Sequence, residues 1–131
     1  MRLGWGCLLA LVPMWVHAAP ELRCNFEVNA EQMHHSFTPV SDPYTVTSVN
    51  LVNRFRFKAV VLGDETRVDL INLYVFYQTQ RQPMLLQHVK YVAPVALSHP
   101  DPDALTGRVA LYSPFLGKEL QYSCALHEVV R

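Results

Sequence analysis

The segment Met33-His34-His35 combines two side-chain types that bind transition metals. Methionine and histidine bind copper, and imidazole also binds zinc. Neighbouring histidines point to opposite faces of a strand but can converge in a loop, where a further ligand would come from another part of the chain. Met33, His34 and His35 are therefore a candidate metal site. Solvent-exposed loop histidines explain the same residues without a metal, so no cofactor is predicted.

The segment Ser98-His99-Pro100-Asp101 contains the residue types of a hydrolase triad, but consecutive residues cannot align a nucleophile, its base and the group that orients the base. The sequence also lacks a nucleophile elbow flanked by glycines. We therefore predict that the protein is not an enzyme. The carboxylates of Asp101 and Asp103 flank a proline, which is typical of a turn and would also suit a calcium ion. His99, Asp101 and Asp103 are a candidate binding loop.

Basic residues alternate with apolar ones in Arg54-Phe55-Arg56-Phe57-Lys58. A strand places alternate side chains on the same side, so Arg54, Arg56 and Lys58 share one face. Such a face suits an acidic partner protein, a carboxylate ligand or lipid head groups. An ordinary solvated sheet face or a charged edge strand has the same pattern. The three residues are a candidate interaction face.

The elements that position these residues are predicted to be β-strands. Residues 54–61 and 68–77 form the longest hairpin, with residues 63–66 as its turn. Residues 68–77 are apolar on both faces, which indicates a strand covered on both sides or one that carries a bulge. The remaining predictions are strands at residues 44–52, 84–92 and 108–112, a short helical turn at residues 29–32, and an irregular, proline-containing loop at residues 93–107.

The strands predicted at residues 22–29 and 118–129 alternate apolar with polar residues, and each carries a cysteine on its apolar side. Cys24 and Cys124 are an even pair in a chain expected to be exported, so they are predicted to form a disulfide. The first and last strands would then be neighbours or face each other across the core. The predicted fold is all-β, a small antiparallel β-sandwich or barrel of six to seven strands with one disulfide.

The N-terminal segment has the features of a secretory signal peptide. Arg2 precedes an uncharged apolar run at residues 3–16, and Val16-His17-Ala18 fits the pattern before a cleavage site. We predict cleavage after Ala18, which makes residues 1–18 the signal and residues 19–131 a single exported β domain, periplasmic or secreted. The alternative is an uncleaved anchor, although the run is short for a membrane span and Pro13 interrupts it. The mature chain is predicted to have no membrane span.

Removing residues 1–18 takes Arg2 from the 11 basic residues and leaves 10 against 11 acidic ones, a net charge of −1. Near neutrality argues against nucleic acid as the main partner. The chain is predicted to be a non-catalytic binding or protein-interaction module that acts on another envelope or secreted protein through a sheet face or the loop at residues 93–107. The alternatives are the metal-handling protein and a carrier of a small apolar ligand held among Tyr74, Phe76, Tyr77 and Tyr91.

Overall fold

Over the residues that the structure describes, the fold consists of eight β-strands and a short 3-10 turn. The computed structural model describes Gly4, Gly6, residues 17–114 and residues 117–130, so most of the predicted signal segment lies outside the described residues. The strands are β1 (Ala18–Val28), β2 (Glu31–Phe37), β3 (Val49–Leu51), β4 (Phe55–Gly63), β5 (Val68–Gln78), β6 (Pro83–Val92), β7 (Val109–Tyr112) and β8 (Glu119–Val130). In this part of the chain, no helix is long and apolar enough to cross a membrane.

The strands form two antiparallel sheets of four strands each, which share one hydrophobic core. Sheet A has the order β2-β1-β8-β7, and sheet B has the order β3-β4-β5-β6. Sheet B therefore contains strands that follow one another in the sequence, whereas sheet A pairs the first two strands with the last two. The predicted all-β sandwich with one disulfide is confirmed.

The disulfide joins β1 and β8, the central pair of sheet A. The two strands pair along their whole length, from Ala18 opposite Val130 to Val28 opposite Leu120. Cys24 lies directly opposite Cys124, with their Cα atoms 4.1 Å apart and their sulfurs bonded. Both cysteines face the core, as the alternation predicts. The first and last strands are therefore neighbours within one sheet, and the bond closes a loop with a sequence separation of 100 residues.

The helical turn predicted at residues 29–32 is wrong, because this region is the turn of a β-hairpin. Asn29 and Ala30 have φ angles of 51° and 65°, as in the two-residue turns whose twist matches antiparallel strands. Strand β2 then returns along β1. The prediction failed because Ala30 stands where a glycine usually marks such a turn, and because Asn29 followed by Gln32 resembles a helix cap. Since β2 was not expected, the number of strands was underestimated.

The hairpin of β4 and β5 forms the centre of sheet B and follows the predicted alternation. Its inward residues are buried, and they include Phe55, Phe57, Ala59, Val61, Ile71, Leu73 and Val75. The apolar residues on the other side of β5, such as Tyr74 and Phe76, are half-buried on the outer face of the sheet. Strand β5 carries a bulge at Asp69, since Leu70 lies opposite Leu62 and Val68 lies opposite Gly63. The bulge turns Val68 inward, which is one of the two explanations that the sequence suggested for this strand.

The strand predicted at residues 44–52 is much shorter than expected. Pro43–Thr45 form a 3-10 turn, and the Asp42 carboxylate caps it by accepting a hydrogen bond of 2.9 Å from the Tyr44 N–H. Pairing with β4 is limited to Val49–Leu51. High β-propensity reflects the fit of a side chain to a half-buried sheet surface. Tyr44 is 94% exposed, so no such surface covers its ring.

Aromatic side chains join the two sheets in the core. Phe26 of β1 packs edge-on against Phe57 of β4 with ring centroids 4.8 Å apart, and Tyr122 of β8 lies 5.3 Å from Phe57. The Tyr122 hydroxyl donates a hydrogen bond of 2.5 Å to Oε1 of Gln87 on β6. Burial raises the pKa of Tyr122, because the ionised phenolate would lose its hydration. Ring packing and a polar bridge thus fix sheet A against sheet B.

Candidate binding site

The loop at residues 93–107 is irregular, as predicted, and it runs along the edge of β8 in sheet A, with residues 101–103 at the outer face. The Leu97 N–H donates a hydrogen bond of 3.1 Å to the Leu126 carbonyl. Further along, the Leu105 N–H donates to the Cys124 carbonyl at 3.1 Å, and the Cys124 N–H donates to the Thr106 hydroxyl at 2.8 Å. These β8 groups lie beyond the point where pairing with β7 ends. The loop therefore forms hydrogen bonds with the backbone groups at the edge of β8, where no strand of the described part of the chain pairs with them.

An open groove of about 510 Å³ lies between this loop and the outer face of sheet A. We call it the groove. Outward side chains of β1, β2 and β8 form its floor, while the loop and the start of β7 form its rim. It is lined by Asn25, Phe26, Glu27, Gln32, His34, Asp101, Pro102, Asp103, Arg108, Gln121, Tyr122 and Ser123.

Carboxylates outnumber cations in the groove. Glu27, Asp101 and Asp103 contribute negative charge, and Arg108 contributes positive charge. The Arg108 guanidinium donates from Nη2 to Oε1 of Gln121 at 3.1 Å, which orients it along the floor. Such a lining suits a ligand that carries a cationic group together with hydrogen-bonding groups.

Two of the three predicted loop residues reach the groove. Asp101 and Asp103 line it, and the backbone holds them in place because the Ala104 N–H donates to the Asp101 carbonyl at 3.0 Å. His99 is not among the lining residues and lies instead near His127 of β8. Partial burial, followed by the charges of Arg23 and His99, lowers the pKa of His127.

The structure divides the candidate metal site between the two faces of β2. His35 lies on the core side, where its ring packs edge-on against Phe26 at 5.7 Å, and Met33 packs against the core on the same side. His34 points outward into the groove, where its Nδ1 donates a hydrogen bond of 2.5 Å to Oδ1 of Asn25. Since the two faces of a strand cannot contact one ion, the three residues do not form a single ligand set.

Among the residues that the structure describes, no three His, Cys, Asp or Glu side chains are placed to hold a metal ion. The metal-handling hypothesis stays a prediction. The strand geometry restricts it to Met33 with His35, or to His34 with groups of the groove.

The candidate interaction face belongs to the outer face of sheet B. Arg56 and Lys58 point outward from β4, whereas Arg54 lies in the turn that precedes it. Arg56 donates from Nε to Oε1 of Gln78 at 2.6 Å. The Lys58 ammonium lies 5.8 Å from the ring centroid of Tyr74, within reach of a cation–π interaction. This outer face is therefore both cationic and aromatic.

The aromatic residues of the carrier hypothesis are also divided between two faces. Tyr74 and Phe76 lie on the outer face of sheet B, with parallel rings 6.3 Å apart. Tyr77 and Tyr91 pack against the core. The four rings therefore do not line one common pocket, and the carrier hypothesis stays a prediction.

Sequence reasoning missed most of the groove. The alternation of β1 and β8 correctly marks Asn25, Glu27 and Gln121 as outward polar residues. Nothing in the sequence shows that the loop at residues 93–107 lies above these residues, since that depends on backbone hydrogen bonds to β8. His34 was identified for metal chemistry, and its position in the groove follows from the unexpected strand β2.

The chain matches no protein-family model, and comparison with curated proteins and with solved structures finds no match. The groove and the outer face of sheet B are therefore the basis for a functional proposal.

Proposed function

We propose that this protein is a non-catalytic binding module of the cell envelope or the extracellular space, and that the groove binds a polar segment of another envelope or secreted protein. The observation that carries the proposal is the position of the loop at residues 93–107. Its backbone is hydrogen-bonded to β8 at Leu126 and Cys124, so the rim of the groove is ordered before any ligand arrives.

An ordered rim favours binding because less conformational entropy remains to be lost on association. Each flexible side chain or loop that must be ordered on binding weakens the complex. The turn after Asp101 is closed by backbone bonds, and the Gly107 N–H donates to the Asp103 carbonyl at 2.7 Å. Gly107 has a φ of 68°, a conformation that favours glycine. The two carboxylates are thus presented on a rigid support.

The charge of the groove defines the proposed ligand chemistry. Three carboxylates against one guanidinium favour a lysine or arginine side chain of the partner. Arg108 offers a second contact, to a carbonyl or a carboxylate of the same segment. Groups that bind by hydrogen bonds and charge support a role in recognition.

The proposed compartment rests on the sequence and is compatible with the fold. Disulfides persist in the periplasm and outside the cell. Cleavage after Ala18 would make Ala19 the first residue, opposite Val129 within the pairing of β1 with β8. The intact mass of the protein purified without reductant from the exported fraction tests both points. We expect a chain that begins at residue 19 and lacks the two hydrogens of the Cys24 and Cys124 thiols.

Site-specific photocrosslinking tests the groove. A photoreactive residue in place of Gln32, which lines the groove, is expected to capture a partner protein in the native compartment. The matched control is the same photoreactive residue in place of Glu65, which is exposed in the turn between β4 and β5. Capture from Gln32 with none from Glu65 supports the proposal. Equal capture from both positions, or none from Gln32, contradicts it.

A charge variant then tests the proposed chemistry on the captured partner. Replacing both groove carboxylates in Asp101→Asn, Asp103→Asn is expected to weaken the complex about tenfold or more, since each charged contact at an interface contributes in the range of one to a few kcal/mol. Glu65→Gln removes a carboxylate elsewhere and is expected to leave the affinity unchanged. Isothermal titration calorimetry measures both.

A further inference from the structure

We propose that the free edge of β6 accepts an extended, acidic segment of a partner protein as an additional β-strand of sheet B. This surface is separate from the groove, which lies on the opposite sheet. The two sites can therefore succeed or fail independently.

Strand β6 ends sheet B and has no strand partner on its outer side among the described residues. The Ala93 N–H donates to the Asp69 carbonyl at 2.9 Å, and Val92 lies opposite Leu70. In an antiparallel pair, successive residues direct their backbone groups alternately toward and away from the partner strand. The backbone groups of His88, Lys90 and Val92 therefore point away from β5, toward solvent.

Exposed apolar side chains are concentrated at this edge. Leu85 is 52% exposed and Val92 is 73% exposed, and both lie on the outer face of sheet B. Beyond the strand, Val95 is 77% exposed. The other long edge strand, β2, contains none of the large hydrophobic residues with this degree of exposure in the described part of the chain. An added strand could cover Leu85 and Val92 while its backbone completes the ladder.

The charges near this edge indicate which kind of segment would pair with β6. The outward residues of sheet B that can carry positive charge are Arg56, Lys58, His88 and Lys90. The carboxylate on its described strands is that of Asp69 near the start of β5, and it is paired with Arg67 at 3.2 Å. A strand added beside β6 would place its side chains next to His88 and Lys90, where opposite charges directly across a ladder attract. Glutamate or aspartate at alternate positions, with apolar residues near Leu85 and Val92, is therefore the complementary pattern.

A second copy of this chain fits the edge less well. Antiparallel self-pairing centred on residue 90 places Lys90 opposite Lys90 of the other copy. A centre at residue 89 places it opposite His88, and a centre at residue 91 places it opposite Val92, where no opposite charge meets it. Like charges directly opposite one another destabilise a strand pair. The partner is therefore assigned as a different, acidic segment.

Amide hydrogen exchange with a defined probe tests the inference. The probe is a short blocked peptide with glutamate at the two alternate positions that face His88 and Lys90 and valine at the next alternate position, which faces Val92. Its control has lysine in place of each glutamate. We expect the acidic peptide to slow exchange at the N–H groups of His88, Lys90 and Val92, with little change at Val89 and Tyr91, whose N–H groups already point toward β5. We expect the basic peptide to bind about tenfold more weakly or not at all.

Two substitutions of Lys90 separate the backbone from the charge. Lys90→Pro removes an N–H that points away from β5, so the sheet can retain its own pairing while the edge loses a donor. It is expected to abolish peptide binding, whereas Lys90→Ala keeps the donor and is expected to retain weakened binding. Lys90→Glu is expected to reverse the preference, so that the basic peptide binds better than the acidic one.

Several results would overturn the inference. These are no slowing of exchange at peptide concentrations up to about 1 mM, which is the range of weak complexes, equal binding of both peptides, or protection confined to the groove. A dimer detected by sedimentation in the absence of peptide and abolished by Lys90→Pro would show that a second copy occupies the edge, and it would also overturn the inference. Amide spectra of each variant establish that the fold is retained.

Discussion

Phe57 is the side chain through which the two sheets make their closest aromatic contact. It is fully buried on β4 and meets Phe26 of β1 at 4.8 Å, Phe37 of β2 at 5.9 Å and Tyr122 of β8 at 5.3 Å. Three strands of sheet A therefore depend on one ring of sheet B. Truncating this ring would leave a cavity at the centre of the core.

Phe57→Ala is expected to reduce the free energy of unfolding by about 3–5 kcal/mol, the range measured when buried aromatic rings are removed. Urea unfolding monitored by circular dichroism gives the value. Tyr44→Ala is the matched control, since Tyr44 is 94% exposed, and it should change stability by no more than about 0.5 kcal/mol. A similar effect for both substitutions would show that Phe57 does not have the central role that its contacts indicate.

Ionisation of Tyr122 is expected to make the free energy of unfolding depend on pH in the alkaline range. Burial raises the pKa of Tyr122 in the folded protein above its unfolded value of 10.0, so the folded state retains the proton more strongly than the unfolded state does. The resulting stabilisation is fully present below about pH 10 and is lost as the pH rises above the unfolded pKa. Burial also raises the pKa of Tyr91, which acts in the same direction.

Tyr122→Phe is expected to flatten the fall in melting temperature between pH 9 and 11, since phenylalanine cannot ionise. At neutral pH the same variant should lose about 1 kcal/mol, because the hydrogen bond to Gln87 is removed. Scanning calorimetry across the pH range measures both effects. An unchanged alkaline slope in the variant would mean that other groups determine it.

At the scale of single elements, the hairpin of β1 and β2 contains a turn whose sequence does not suit its backbone. Ala30 has a φ of 65°, which crowds its Cβ against the backbone, and Asn29 tolerates its own φ of 51° better. The strands nevertheless pair in register over seven residues, from Val28 opposite Glu31 to Leu22 opposite Phe37. Packing of β2 against the core therefore outweighs the unfavourable turn residue.

Ala30→Gly is expected to stabilise the protein by about 0.5–1 kcal/mol, because relief of the left-handed strain exceeds the entropic cost of glycine. Thermal unfolding compares the variant with the parent. Asn29→Ala serves as the opposite control and should destabilise, since it places a second alanine at positive φ. If Ala30→Gly destabilises instead, the turn must adopt a different geometry.

The strands that the sequence predicts best are those with one solvent-exposed face and one buried face. The alternation in β1, β4 and β8 identifies the inward residues correctly, including both cysteines, because each strand has polar neighbours on the opposite side. Strand β2 was missed because His34 and His35 suggested a loop and no glycine marked the turn. The groove was not predictable, since backbone hydrogen bonds from Leu97 and Leu105 to β8 determine where the loop lies, and they join residues far apart in the sequence.

At the scale of the whole molecule, charge is distributed unevenly between the two sheets. Seven of the 11 carboxylates lie on sheet A and its covering loop: Glu21, Glu27, Glu31, Asp101, Asp103, Glu119 and Glu128. The strands of sheet B carry the outward cations Arg56, Lys58 and Lys90, and their one described carboxylate, Asp69, is paired with Arg67. A nearly neutral molecule therefore presents an acidic side and a basic side, which accounts for the opposite ligand chemistries proposed for the groove and for β6.

The disulfide acts on the whole molecule, because it joins the first strand to the last. Replacing both cysteines in Cys24→Ala, Cys124→Ala is expected to lower the free energy of unfolding by about 4–5 kcal/mol, since the bond closes a loop of about 100 residues in the unfolded chain. Guanidinium unfolding of the variant and of the oxidised parent gives the difference. The reduced parent should resemble the double variant, and a loss below about 1 kcal/mol would contradict the chain-entropy explanation.

The pairing of the first strand with the last also determines the order in which the protein can mature. The strands of sheet B occupy one continuous stretch, residues 49–92, and can assemble while synthesis is still under way. Strand β1 is synthesised first, but it cannot pair with β8, its neighbour at the centre of sheet A, until the last strand has been made. During this interval the apolar side of sheet B lacks the part of its cover that β8 supplies, including Tyr122 beside Phe57. A nascent chain stalled before β8 would therefore leave Phe57 without its Tyr122 contact and more accessible to chaperones and proteases, until synthesis of the last strand completes sheet A.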